Sequence, residues 1–144
     1  MKTFSILYHD VCAAGKFRTS GFASPDADAY KLTDTHFRAH LDAIARRVGT
    51  SPVTARDILN RTKSDGWMLH FDDGGSSAIE RIAPMLEERG WRGHFYIPTD
   101  FIGTPGFVTR EQVRMLHDRG HVVGSHSCSH PRKISALSRT ELLR

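Results

Sequence analysis

Two adjacent carboxylates, Asp72 and Asp73, close an apolar run and lead into Gly74-Gly75, while two histidines, His126 and His130, stand four positions apart further along the chain. Imidazoles at that spacing project from one face of a helical turn, where both can reach a single metal ion. Consecutive residues at a strand end point in different directions. One aspartate can therefore complete a two-His, one-carboxylate metal site while the other acts on a water or substrate. Neither segment is specific alone, because Asp-Asp-Gly also serves as an N-cap and turn, and histidine pairs occur on ordinary surfaces. A fold that gathers the carboxyl ends of its strands on one side would combine them, since α/β proteins build their sites there.

The hydrophobic pattern describes such a fold. Phe4 to Tyr8 reads as a buried first strand, and the Gly-, Ser-, Asp- and Pro-rich stretch Cys12 to Lys31 as a long loop of the kind that carries function. Phe37, Leu41, Ile44, Ala45 and Val48 recur at helical spacing, with Thr33, Asp34 or Thr35 as N-cap and Gly49 beyond the end. A short helix is expected around Val53 to Leu59, then a polar stretch over 60–65, then a strand from Trp67 to Phe71 that ends at the aspartates. The next helix runs from about Ser76 to Arg89, with Ile79, Ile82, Ala83 and Leu86 on one face and Gly90 as C-cap. His94 to Ile97 is a third strand, followed by the loop Thr99 to Gly106. Thr109 and Gln112 open a further helix with capping-box spacing, and Val122 to Gly124 is a fourth strand that delivers His126. Four strand-then-helix units imply an α/β layered or barrel fold with a parallel sheet. Ser138 and Glu141 repeat the capping-box spacing only a turn before Arg144, so the chain reads as cut off at its C-terminus.

With 144 residues, the chain suits one domain spanning 1–144. Hydrophobic residues at 39% and charged residues at 25% exclude the disordered and membrane classes. The net charge of +4 is scattered among acidic residues, which gives nucleic acid no basic patch to bind. Cys12 and Cys128 follow no CxxC spacing. The apolar run at Phe4 is too short for a signal-peptide core and nothing reads as a membrane span, so the expected location is the cytoplasm.

Taken together, the two segments and the text between them resemble the polysaccharide deacetylases related to the nodulation chitooligosaccharide deacetylase (NodB homology domain, carbohydrate esterase family 4). The family's first motif, usually Thr-Phe-Asp-Asp-Gly, is matched by His70-Phe71-Asp72-Asp73-Gly74. Its second, His-Ser/Thr-x-x-His-Pro, is matched by His126-Ser127-Cys128-Ser129-His130-Pro131. Phe95 to Thr99, Phe107 to Thr109, Gly120 to Ser125 and the opening Ile6 to His9 are similar to family text as well.

The resemblance implies a distorted (β/α) barrel of which the N-terminal half is present. It also implies a metal-dependent hydrolase that removes N-acetyl groups from N-acetylglucosamine-containing polysaccharide or oligosaccharide. Asp73, His126 and His130 would hold a divalent metal, commonly zinc, and Asp72 would be the general base; no other cofactor is implied. His70 departs from the usual Thr. The Arg-bearing third motif, the Asp-and-Trp fourth motif and the late His would lie beyond Arg144. Alternatives are hydrolysis of another non-peptide C–N bond and a non-catalytic fragment. Half a barrel would leave a sheet edge open to self-association. Cys128 is expected to be a small packed side chain turned away from the metal. His9 and Asp10 could line the site floor, with turn capping the alternative for Asp10, and Asp100 could touch sugar. His36, His40, His94, His117 and His121 are expected at surface or strand positions.

Overall fold

The computed structural model describes residues 3–60, 62–63 and 66–143, so part of the polar stretch 60–65 and Arg144 lie outside the described residues. The strands are β1 (Thr3–Tyr8), β2 (Val11–Cys12), β3 (Leu32–Thr33), β4 (Gly66–Phe71), β5 (His94–Ile97) and β6 (Val122–Ser125). Helices α1 (Pro25–Asp28), α2 (Asp34–Val48), α3 (Ala55–Leu59), α4 (Ala83–Glu87), α5 (Arg110–Asp118) and α6 (Arg139–Leu142) connect or follow them. The order β1-β4-β5-β6 makes one parallel sheet, with β2 and β3 paired in a small second one. This is the parallel α/β architecture that the strand-then-helix order implies. Among the described residues the four-stranded sheet does not close on itself.

Register puts Tyr8 opposite Phe71 and Phe71 opposite Phe95. Their rings stack across the sheet, with centroids 5.9 and 5.0 Å apart. On the same face Trp67, Leu69 and Phe71 alternate inward from β4 and meet Phe37 and Leu41 of α2, Ile82 and Leu86, and Leu116 of α5. Burying each such large side chain contributes roughly 2 kcal/mol. Thr33 caps α2 by accepting from His36, Thr109 and Ser138 close the capping boxes that their spacing implies, and Thr54 closes a third.

Three expectations need correction. β1 is an edge strand rather than a buried one, with Phe4 and Leu7 about half exposed. It pairs with β4 alone, so its outer side has no partner strand among the described residues. The stretch 12–31 is not a plain loop: it holds part of β2, a 3-10 turn at Phe17–Thr19 and α1, and it ends at the buried Lys31. The helix of 76–89 begins as a π-helical turn over Ala78–Ile82 before continuing as α4. Pro84 lacks the N–H that the α pattern needs, which accounts for the wider turn just before it.

Candidate metal centre

β4 and β6 flank β5, so the segments that leave their carboxyl ends arrive on either side of Ile97. After β4, Asp72 N–H still donates to Tyr8 O at 3.0 Å, and the chain then turns sharply through Asp73 (φ +72°) and Gly74 (φ +61°). A Cβ at Gly74 would sit 2.9 Å from Ile97 Cγ2, so glycine is required there for both conformation and space. Val108 N–H closes the turn on Gly74 O, and Ser76 N–H donates to Gly106 O.

Beyond β6, His126 N–H donates to Ile97 O, extending the sheet by one residue. His126 and His130 are not joined by a helical turn, contrary to the spacing argument. Ser127 (φ +64°) and His130 (φ +49°) are left-handed, and the loop is held by Thr99 N–H to Ser127 O, Asp100 N–H to Cys128 O and His130 N–H to Ser127 Oγ. The reversed turn still brings the two imidazoles together, with centroids 5.1 Å apart.

Asp73 Oδ1 lies 3.2 Å from His130 Nε2 and 3.6 Å from His126 Nε2, and Asp72 Oδ2 lies 3.9 Å from His126 Nε2. One ligand atom from each of Asp73, His126 and His130 falls within 4.8 Å of the others. Asp73 Oδ1 is buried and makes no hydrogen bond. A buried carboxylate oxygen without a donor, facing two imidazole nitrogens, is an arrangement that a divalent cation satisfies. The residues present therefore fit a metal ion.

Other candidates fall elsewhere. Asp10 is buried as a structural clasp, accepting from Ser20 Oγ at 2.6 Å and Ser77 Oγ at 2.7 Å, and does not floor the cluster. His9 packs beside Tyr30 and lines a cavity of about 740 Å³ that opens onto Asp73 and His130, with Phe22 and Arg132 also on its walls. Cys128 is half-buried and, with Asp100, lines a separate cavity of about 280 Å³; it has no place in the metal-ligating group. His36, His40 and His117 are exposed.

His121, however, is fully buried rather than superficial: Gly93 N–H donates to its Nδ1, and its Nε2 bonds Glu87. His94 similarly bridges Ala55 N–H and Leu69 O. Burial holds both imidazoles below their ordinary 6.5. His70, in place of the usual Thr, is half-buried with its ring 4.6 Å from that of His94, and burial lowers its pKa too. Sequence reasoning missed Phe22, whose ring lies 4.6 Å from His130; an aromatic inside a polar stretch was the available signal.

A parallel sheet with an Asp-His-His cluster at its carboxyl edge defines the class of α/β protein whose site is built at strand ends. The family profile for polysaccharide deacetylase matches residues 59–143, more than half of the chain, and the chain belongs to that family. IcaB from Ammonifex degensii shares 24% identity at a TM-score of 0.65, covering 86% of this chain and 52% of that one. A polysaccharide deacetylase from Bacillus cereus shares 16% at 0.73, covering 98% and 43%. The Streptococcus pyogenes deacetylase PplD, solved in complex with acetate, shares 18% at 0.67, covering 91% and 58%. At these identities the likeness shows the fold, and the chain spans about half the length of those structures. No curated protein matches the chain. Among the described residues no helix is long and apolar enough to cross a membrane.

Proposed function

We propose that the chain carries the metal-binding and general-base half of a hydrolase that removes acetyl groups from N-acetylglucosamine units of a polysaccharide or oligosaccharide. The observation that carries this reading is the orphaned Asp73 Oδ1 facing two imidazole nitrogens. Asp73, His126 and His130 would hold a divalent ion, zinc by their donor types. When bound, that ion lowers the pKa of a water and polarises an amide carbonyl.

Asp72 is the free carboxylate of the pair. Its side chain is 17% exposed, and its Oδ2 lies 3.9 Å from His126 Nε2, beside the cluster. Its role is to take a proton from the attacking water as the new C–O bond forms. When the C–N bond breaks, the leaving amine needs a proton, and Asp72 holds one to return. The products are acetate and a free amine. The cavity on Asp73 and His130 has a volume within the range of small-ligand sites and offers Tyr30 and Arg132 to a sugar. Family membership and the acetate complex of PplD support the same chemistry.

Metal analysis beside an acetate-release assay on N-acetylglucosamine oligomers tests the reading. One zinc per chain with acetate release is expected. Full metal stoichiometry in the variant carrying both His126→Ala and His130→Ala would overturn it.

A further inference from the structure

Metal-binding histidines are ordinarily aimed by a hydrogen bond to the ring nitrogen that does not ligate. Among the described residues the His130 ring has no such bond, and the side chain is 37% exposed on a turn. What lies against it is Phe22, with centroids 4.6 Å apart and planes at 32°. Phe22 is itself wedged between Phe101 and Phe107, at 4.9 and 5.0 Å.

The backbone that presents Phe22 is tied from behind by Lys31. Its side chain is 2% exposed, and Nζ donates to Phe17 O at 2.6 Å, Ser20 O at 2.8 Å and Phe22 O at 2.8 Å. An ammonium has three donors, and all three go to carbonyls of one short segment. The nearest carboxylate, Asp28, is 3.9 Å away, so this cation is buried chiefly against backbone. Burying a charge is costly unless every donor is satisfied, and the satisfied donors here fix the segment that seats Phe22.

We propose that Lys31 is a positioning residue for the metal centre: by clamping the carbonyls of residues 17–22 it holds the Phe22 ring on His130, and the ring stands in for the missing hydrogen bond. The inference rests on the metal reading above. Zinc affinity, measured by chelator competition, and the absorption bands of the cobalt(II)-loaded chain test it in Lys31→Met, Phe22→Ala and the double variant. Each single variant should bind zinc about tenfold more weakly and show altered cobalt bands. The double should be no weaker than Phe22→Ala, because both changes remove one support. Wild-type affinity and spectrum in Lys31→Met, or losses that add in the double variant, would overturn the inference. Should Lys31→Met not fold, Phe22→Ala decides alone: unchanged zinc affinity there sinks the idea. A wild-type chain that takes up no zinc would instead defeat the metal reading itself.

Discussion

The turn after β4 and the turn after β6 deliver the cluster from opposite sides of β5, and they are built differently. Around Asp73 the chain is enclosed: the side chain is 13% exposed, Gly74 abuts Ile97, and a Cβ on Gly75 would fall 2.0 Å from Asp10 Oδ1 and 2.5 Å from Ser20 Oγ. Around His126 and His130 the side chains are a third exposed, and the turn is held mainly by backbone bonds to Thr99 and Asp100. The carboxylate side is preorganised by the core, whereas the histidine side depends on a surface turn and on what packs against it. Two neighbouring aspartates on the rigid side can then hold separate roles, because their directions are set before any ligand arrives.

The largest effects should come from splitting those roles. Asp73→Asn is expected to abolish zinc uptake and activity together, while Asp72→Asn keeps zinc and lowers turnover by about 10²–10⁴-fold. Metal content and acetate release measured on the same samples check both; equal metal loss in the two variants would merge the roles.

Next, the packing contrast predicts that Gly75→Ala lowers stability by about 2–3 kcal/mol in urea titrations, through overpacking against the Asp10–Ser20–Ser77 clasp. Ser129→Ala on the exposed turn should stay within about 0.5 kcal/mol. Similar losses at the two positions would erase the distinction.

The pH sensitivity should come from neither turn but from the opposite end of the sheet, where His94 opens β5 and His121 precedes β6. His94 and His121 have pKa values held below 6.5 in the folded chain, so the unfolded chain binds more protons between those lowered values and 6.5. Their contribution to stability is complete above 6.5 and is lost as pH falls below it. Protonating His94 would also cost the bond its Nε2 accepts from Ala55 N–H. Urea midpoints at pH 7.5 and pH 5 should differ, with the lower at pH 5. A smaller effect is expected from Ser127→Ala, which removes the hydroxyl bonded to His130 N–H and should cost about 1 kcal/mol or less.

The parts of this molecule that could be read from the sequence are those governed by local chemistry. Thr54, Thr109 and Ser138 cap helices because side chain and backbone partner lie three residues apart, and β4 alternates because one face is core. Asp72, Asp73, His126 and His130 were identifiable by type, and they converge. The path between the histidines was not identifiable, since Ser127, where the left-handed reversal begins, is not a residue that advertises such backbone. Phe4 to Tyr8 looked buried because an apolar run carries no mark of being at a sheet edge. The wider turn before Pro84 was not read, because the apolar spacing of Ile79, Ile82, Ala83 and Leu86 continues through that proline unbroken. Lys31 looked like any lysine closing a polar stretch, for carbonyl partners leave no trace in side-chain identity.

That last residue also gives the fold a chemical signature. An amine whose donors are all engaged and whose side chain is enclosed is a poor nucleophile toward acylating reagents, whereas Lys16, Lys63 and Lys133 stand exposed to them. Brief treatment with an amine-reactive label followed by mass spectrometry should leave Lys31 unmodified while those three react. Its labelling would then count the molecules in which the 17–22 segment has opened.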